Sequence, residues 1–128
     1  MIPDFERFDA RAEDIYRHYG ALPQFAKLGE ESGELSTACA RLSAHVLRRV
    51  LNGDEAAQER ETLRLRDQIG EEIADTLIMI EQIVSCSPGM WRIVRDTRER
   101  KLRRQIDRIK AEQKPEGGAT IAPAEGKR

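Results

Sequence analysis

Apolar positions along this chain recur with a helical period almost throughout. No run of β-branched residues alternates at period two, and helix formers dominate residues 4–113. Four helices are predicted. The first is expected over Asp4–Tyr19, closed by Gly20 as its C-cap. Pro23 suits the first turn of a second helix, which continues to about Leu51. Asn52-Gly53-Asp54 joins a left-handed stop to the N-cap of a third helix, expected from about Asp54 to Cys86. Ser87-Pro88-Gly89 breaks that pattern, and a fourth helix is expected over Met90–Gln113. The remainder, Lys114–Arg128, is rich in Gly, Pro and Ala and poor in large apolar groups, the composition of a disordered tail.

The two long helices carry apolar stripes. Leu28, Leu35, Cys39, Leu42, Val46 and Val50 line one side of the second; Ile69, Ile73, Leu77, Ile80 and Val84 line one side of the third. A tight turn between them makes an antiparallel hairpin, with helices one and four covering its apolar face. The expected fold is therefore an all-α four-helix bundle, one domain over residues 1–113. Apolar residues outside the main stripes, such as Ile78 and Val94, point to a homodimer or homotetramer.

Composition narrows the function classes. The chain has 128 residues, 35% of them charged, and a net charge of −1, which argues against a uniformly basic nucleic-acid binder. Its longest uncharged stretch, Gln82–Trp91, is ten residues, far short of the ~20 a membrane helix needs. Asp4, Glu6 and Arg7 leave no room for a signal-peptide core. Cys39 and Cys86 form no CxxC pair and read as small buried residues of a reducing compartment, so a cytoplasmic protein is expected. Charge is nonetheless segregated: residues 30–86 hold twelve acids against six bases, and residues 92–110 nine Lys/Arg against three acids. A cation site beside an anion site is what a metal-bound polyphosphate requires.

Glu30-Glu31-Ser32-Gly33-Glu34 and Glu71-Glu72-Ile73-Ala74-Asp75 carry the candidate chemistry. Glu31 and Glu34 share a helix face, as do Glu72 and Asp75. Counted from Gly53, Glu31 and Asp75 each lie 22 residues away, and Glu34 and Glu72 each lie 19 away. All four therefore fall at one level of the hairpin, ~30 Å from the turn at ~1.5 Å per residue. Measured from Leu28 and from Ile69, the two pairs take the same offsets of about 60° and about 120°, which places them on matching shoulders. On antiparallel helices such shoulders turn either toward each other or both away; facing inward, the four carboxylates would repel one another unless cations join them. Oxygen ligands with no His or Cys nearby select a hard ion, Mg²⁺ or alternatively Mn²⁺. A di-iron bundle would want Glu-x-x-His, which neither His18 nor His45 supplies.

With Lys27-Leu28 before the first motif and Ala74-Asp75-Thr76-Leu77 closing the second, these segments resemble the signature of the MazG-like, all-α nucleoside triphosphate pyrophosphohydrolases. The likeness spans roughly residues 23–105. The interval of 37 residues between Glu34 and Glu72 is longer than the family's usual one. A hairpin whose two arms lengthen equally about Gly53 accommodates it. The resemblance implies Mg²⁺-dependent cleavage of a (deoxy)nucleoside triphosphate to the monophosphate and pyrophosphate. It implies Glu31, Glu34, Glu72 and Asp75 as metal ligands, with Glu34 also orienting the attacking water as general base.

Phosphate also needs cationic side chains. Lys27, one turn before Glu31, and Lys101 and Arg104 on the basic last helix are the candidates. The base-binding residues are not identified by any motif; Trp91, Tyr16, Tyr19, Phe25 and Gln24 are the side chains available. The competing reading is a non-catalytic helical adaptor whose basic last helix binds RNA or an acidic partner. Such an adaptor has no reason to converge four acids.

Overall fold

The computed structural model describes residues 8–52 and 55–113, which are all-α. The helices are α1 (Ala10–Tyr19), α2 (Ala21–Asn52), α3 (Glu55–Ser85) and α4 (Pro88–Gln113). The left-handed stop expected at Gly53 and the tail expected over Lys114–Arg128 lie outside the described residues.

Helix ends follow the chemistry of their caps. α1 starts six residues later than the periodicity predicts, because Asp9 is extended (φ −69°, ψ 127°) and its side chain accepts from the Arg11 backbone N–H. Gly20 closes α1 as expected, at φ 88°, with its N–H donating to the Tyr16 carbonyl at 2.8 Å. α2 begins at Ala21, so Pro23 falls in its first turn, where its missing N–H leaves no bond unmade. Pro88 opens α4, and the Trp91 N–H donates to the Ser87 carbonyl at 3.0 Å.

α2 and α3 pack antiparallel, and their contact follows a heptad. On α2 the buried and half-buried row is Gln24, Leu28, Glu31, Leu35, Ala38, Leu42, His45 and Arg49, at alternating spacings of four and three. On α3 it is Gln58, Thr62, Leu65, Ile69, Glu72, Thr76, Met79 and Ile83. Hydrogen bonds across the seam fix the register. Gln24 Nε2 donates to Gln82 Oε1 at 2.6 Å, Thr76 Oγ1 donates to the Glu31 carbonyl at 3.4 Å, and His45 Nε2 lies 3.0 Å from the Gln58 carbonyl. Gln24 and Gln82 stand equally far from residue 53, so the level pairing expected from the sequence is the one observed.

The rotation of the helices differs from the apolar stripes. Leu28, Leu35, Leu42 and Ile69 do face the seam, but Cys39 is exposed, as are Val46 at 43%, Ile73 at 43% and Leu77 at 38%. Each of these exposed residues sits one position beyond a seam residue, about 100° around its helix. The true seam is harder to see because it admits Gln24, His45 and Thr76, whose side chains find partners across it, Glu31, whose carboxylate pairs with Lys27 of its own helix, and the small Ala38. Cys86 is half-buried, so neither cysteine is the core residue expected.

The chain divides into two compact units, one reaching Trp91 and the other starting at Arg92. In the first, α1 packs on α3 and α2, burying Ala12, and the Phe8 ring meets Trp91 edge-on at 5.2 Å. The second is the basic stretch of α4, whose Arg103 pairs with Glu99 at 2.8 Å. Among the described residues no helix is long and apolar enough to cross a membrane.

Candidate metal centre

The seam determines which carboxylates meet. Glu31 and Glu72 occupy seam positions, whereas Glu34 and Asp75 each precede a seam residue and lie on the shoulder. Glu31, Glu72 and Asp75 each offer a carboxylate oxygen, and the three oxygens lie within 4.8 Å of one another. The group opens outward: Glu31 is buried, Glu72 half-buried and Asp75 exposed. Glu34, expected as a fourth ligand, is exposed and does not belong to this close group.

Burying a carboxylate is costly unless its oxygens are compensated. The Glu31 side chain is 8% exposed, and Lys27 Nζ stands 2.7 Å from its Oε1. The same ammonium is 3.3 Å from Glu30 Oε1. Glu31 first, then Glu30, holds the Lys27 amine protonated well above its usual range. Glu72 has no such partner: its Oε2 is buried without a hydrogen bond. A buried, unpartnered oxygen on a carboxylate that also stands beside Glu31 and Asp75 marks a residue whose charge a cation would compensate. The three side chains fit a metal ion in both donor chemistry and spacing.

Glu34 senses the cluster. The charge of Glu31 raises its pKa, and desolvation and Glu72 add to the rise. A carboxyl with a raised folded-state pKa takes up protons on folding, so its ionised form works against the fold. The sign is therefore fixed. Without metal, stability gains as pH falls through the Glu34 titration, and Glu34→Gln should raise the melting temperature at pH 7. That gain should shrink towards zero below the ordinary carboxylate range. Thermal melts of both proteins between pH 3 and 7 check it; a loss of stability in Glu34→Gln at pH 7 would contradict it.

Other candidates fall elsewhere. Gln24 is buried against Gln82 and is not free to read a base edge. Tyr19 is 60% exposed, its ring edge-on to His18, and Phe25 is 45% exposed. Tyr16 is half-buried, and Trp91 meets Phe8. Lys101 and Arg104 are exposed on α4 within the second unit. Neither Gln82, at 1% exposure the most deeply buried large side chain among the described residues, nor the pairing of Lys27 with Glu31 is marked by a sequence motif. Counting equal distances from residue 53 places Gln82 opposite Gln24. No protein-family model, curated protein or solved structure matches the chain.

Proposed function

We propose that this chain is a Mg²⁺-dependent nucleoside triphosphate pyrophosphohydrolase of the MazG-like all-α type, converting a (d)NTP to the (d)NMP and pyrophosphate. The observation that carries the reading is the meeting of Glu31, Glu72 and Asp75 within 4.8 Å, from two motifs some forty residues apart. Two solvated charge pairs on separate helices have no reason to share a level and a seam.

Glu31, Glu72 and Asp75 would hold the ion, with Mn²⁺ as its substitute. When bound, a divalent ion neutralises phosphate oxygens and activates water as a nucleophile. Glu34 stands on the shoulder beside the cluster, exposed to incoming solvent. Its raised pKa suits it to accept the proton of the attacking water. The water oxygen bonds to phosphorus, the α–β bridging P–O bond breaks, and its electron pair leaves on the departing phosphate product. Lys27, beside the cluster, is proposed as a phosphate contact on its charge. A homodimer or homotetramer belongs to the same reading.

A panel of ribo- and deoxynucleoside triphosphates with Mg²⁺ tests the activity, scored separately for pyrophosphate and orthophosphate. Monophosphate and pyrophosphate in equal amounts from at least one nucleotide is the expected result. Orthophosphate alone, or no turnover anywhere in the panel, would reject it.

A further inference from the structure

Lys27, Glu30 and Glu31 form a unit that the metal cluster alone does not explain. Lys27 stands three residues before one carboxylate and four before the other, so its single ammonium reaches both. Its inner partner, Glu31 at 2.7 Å, is buried in the seam; its outer partner, Glu30 at 3.3 Å, has a side chain 59% exposed. Lys27 itself is 45% exposed on a flexible four-carbon stem. Glu31 is also the innermost of the three residues whose oxygens could hold a metal. An ammonium and a divalent cation on the same carboxylate repel each other and compete for its negative charge.

We propose that Lys27 is a tethered counter-ion that competes with the metal for Glu31 and moves to Glu30, or to a bound anion, when the metal enters. The inference rests on the metal site under "Proposed function" and deepens it. Without metal, Lys27 compensates the one cluster carboxylate that is truly buried. With metal, the displaced ammonium faces outward, within reach of any polyphosphate brought to the ion. Glu30 is the outer resting place, which gives the adjacent Glu30-Glu31 pair two distinct jobs.

The test is Mn²⁺ binding by electron paramagnetic resonance to the whole chain, in wild type, Lys27→Gln, Glu30→Gln and the double variant. Melts with circular dichroism establish that each is folded. Removing a competitor should tighten Mn²⁺ binding in Lys27→Gln, by several-fold or more. A residue that merely orients Glu31 as a ligand would, when removed, weaken it. Glu30→Gln should weaken Mn²⁺ binding in wild type, since Lys27 then has only Glu31 to pair with. That effect should largely vanish in the Lys27→Gln background, whereas two independent through-space charges would add. Inorganic pyrophosphate supplied with saturating Mn²⁺ should bind Lys27→Gln several-fold more weakly. Unchanged or weaker Mn²⁺ binding in Lys27→Gln, or an equal Glu30→Gln effect in both backgrounds, would overturn the competition. If Mn²⁺ binds wild type and Glu72→Gln abolishes it, that failure would concern Lys27 alone. No Mn²⁺ binding to wild type would overturn the metal site and the competition together.

Discussion

Asp75→Asn should abolish pyrophosphate release while leaving a folded helical protein. Asp75 is the exposed member of the close group, so neutralising it at nearly constant volume disturbs no packed surface. It also relieves repulsion with Glu31 and Glu72, so the metal-free melting temperature should hold or rise slightly. In the proposed reaction, losing a metal ligand at the reacting phosphate would remove an interaction that strengthens as charge develops in the transition state. A fall in kcat of about 10³ or more, equivalent to ~4 kcal/mol, is expected. Kinetics on a nucleotide confirmed by the panel measure it, with circular dichroism as the folding control. Turnover within a factor of a few of wild type would remove Asp75 from the site.

The second large effect concerns the seam. Ile83 is 3% exposed and occupies a heptad position of α3, whereas Ile73 is 43% exposed one position beyond the seam. Truncating a buried Ile to Ala removes transfer free energy and leaves a cavity, about 2–4 kcal/mol in all. For a domain of this size that lowers the melting temperature by roughly 10 °C or more. Ile73→Ala should cost clearly less, because 43% of that residue stays in water and no enclosed cavity is left. Thermal melts of the two variants side by side make the comparison. Equal losses would mean that the apolar stripe through Ile73, Leu77 and Ile80 is the buried face after all.

That comparison separates what the sequence discloses from what it hides. The level of the acidic residues is legible, because two long helical stretches that the sequence interrupts at one short segment must pair at equal distances from it. Gln24 opposite Gln82 bears the register out at the far end of the hairpin. Rotation about the helix axes is not legible from apolar residues alone. The buried row contains Glu31, His45 and Thr76, which an apolar count skips, and the count drifts onto Cys39, Val46, Ile73 and Leu77 instead. The carboxylates were placed on a shoulder as a set of four, whereas two stand in the seam and two beside it. That small turn is what brings Glu31, Glu72 and Asp75 together and leaves Glu34 outside. The partner of Lys27 could not be read either, since the i,i+3 and i,i+4 spacings offer Glu30 and Glu31 equally. Burial of Glu31 in the seam decides in its favour.

Mn²⁺ binding to wild type, Glu31→Gln, Glu72→Gln and Asp75→Asn tests most directly whether this seam is a metal centre. The account predicts a saturable site in wild type that is weakened at least tenfold by each substitution. The Glu72 change should act through the carboxylate whose Oε2 has no partner in the folded protein. Binding of equal strength in all four proteins would contradict it.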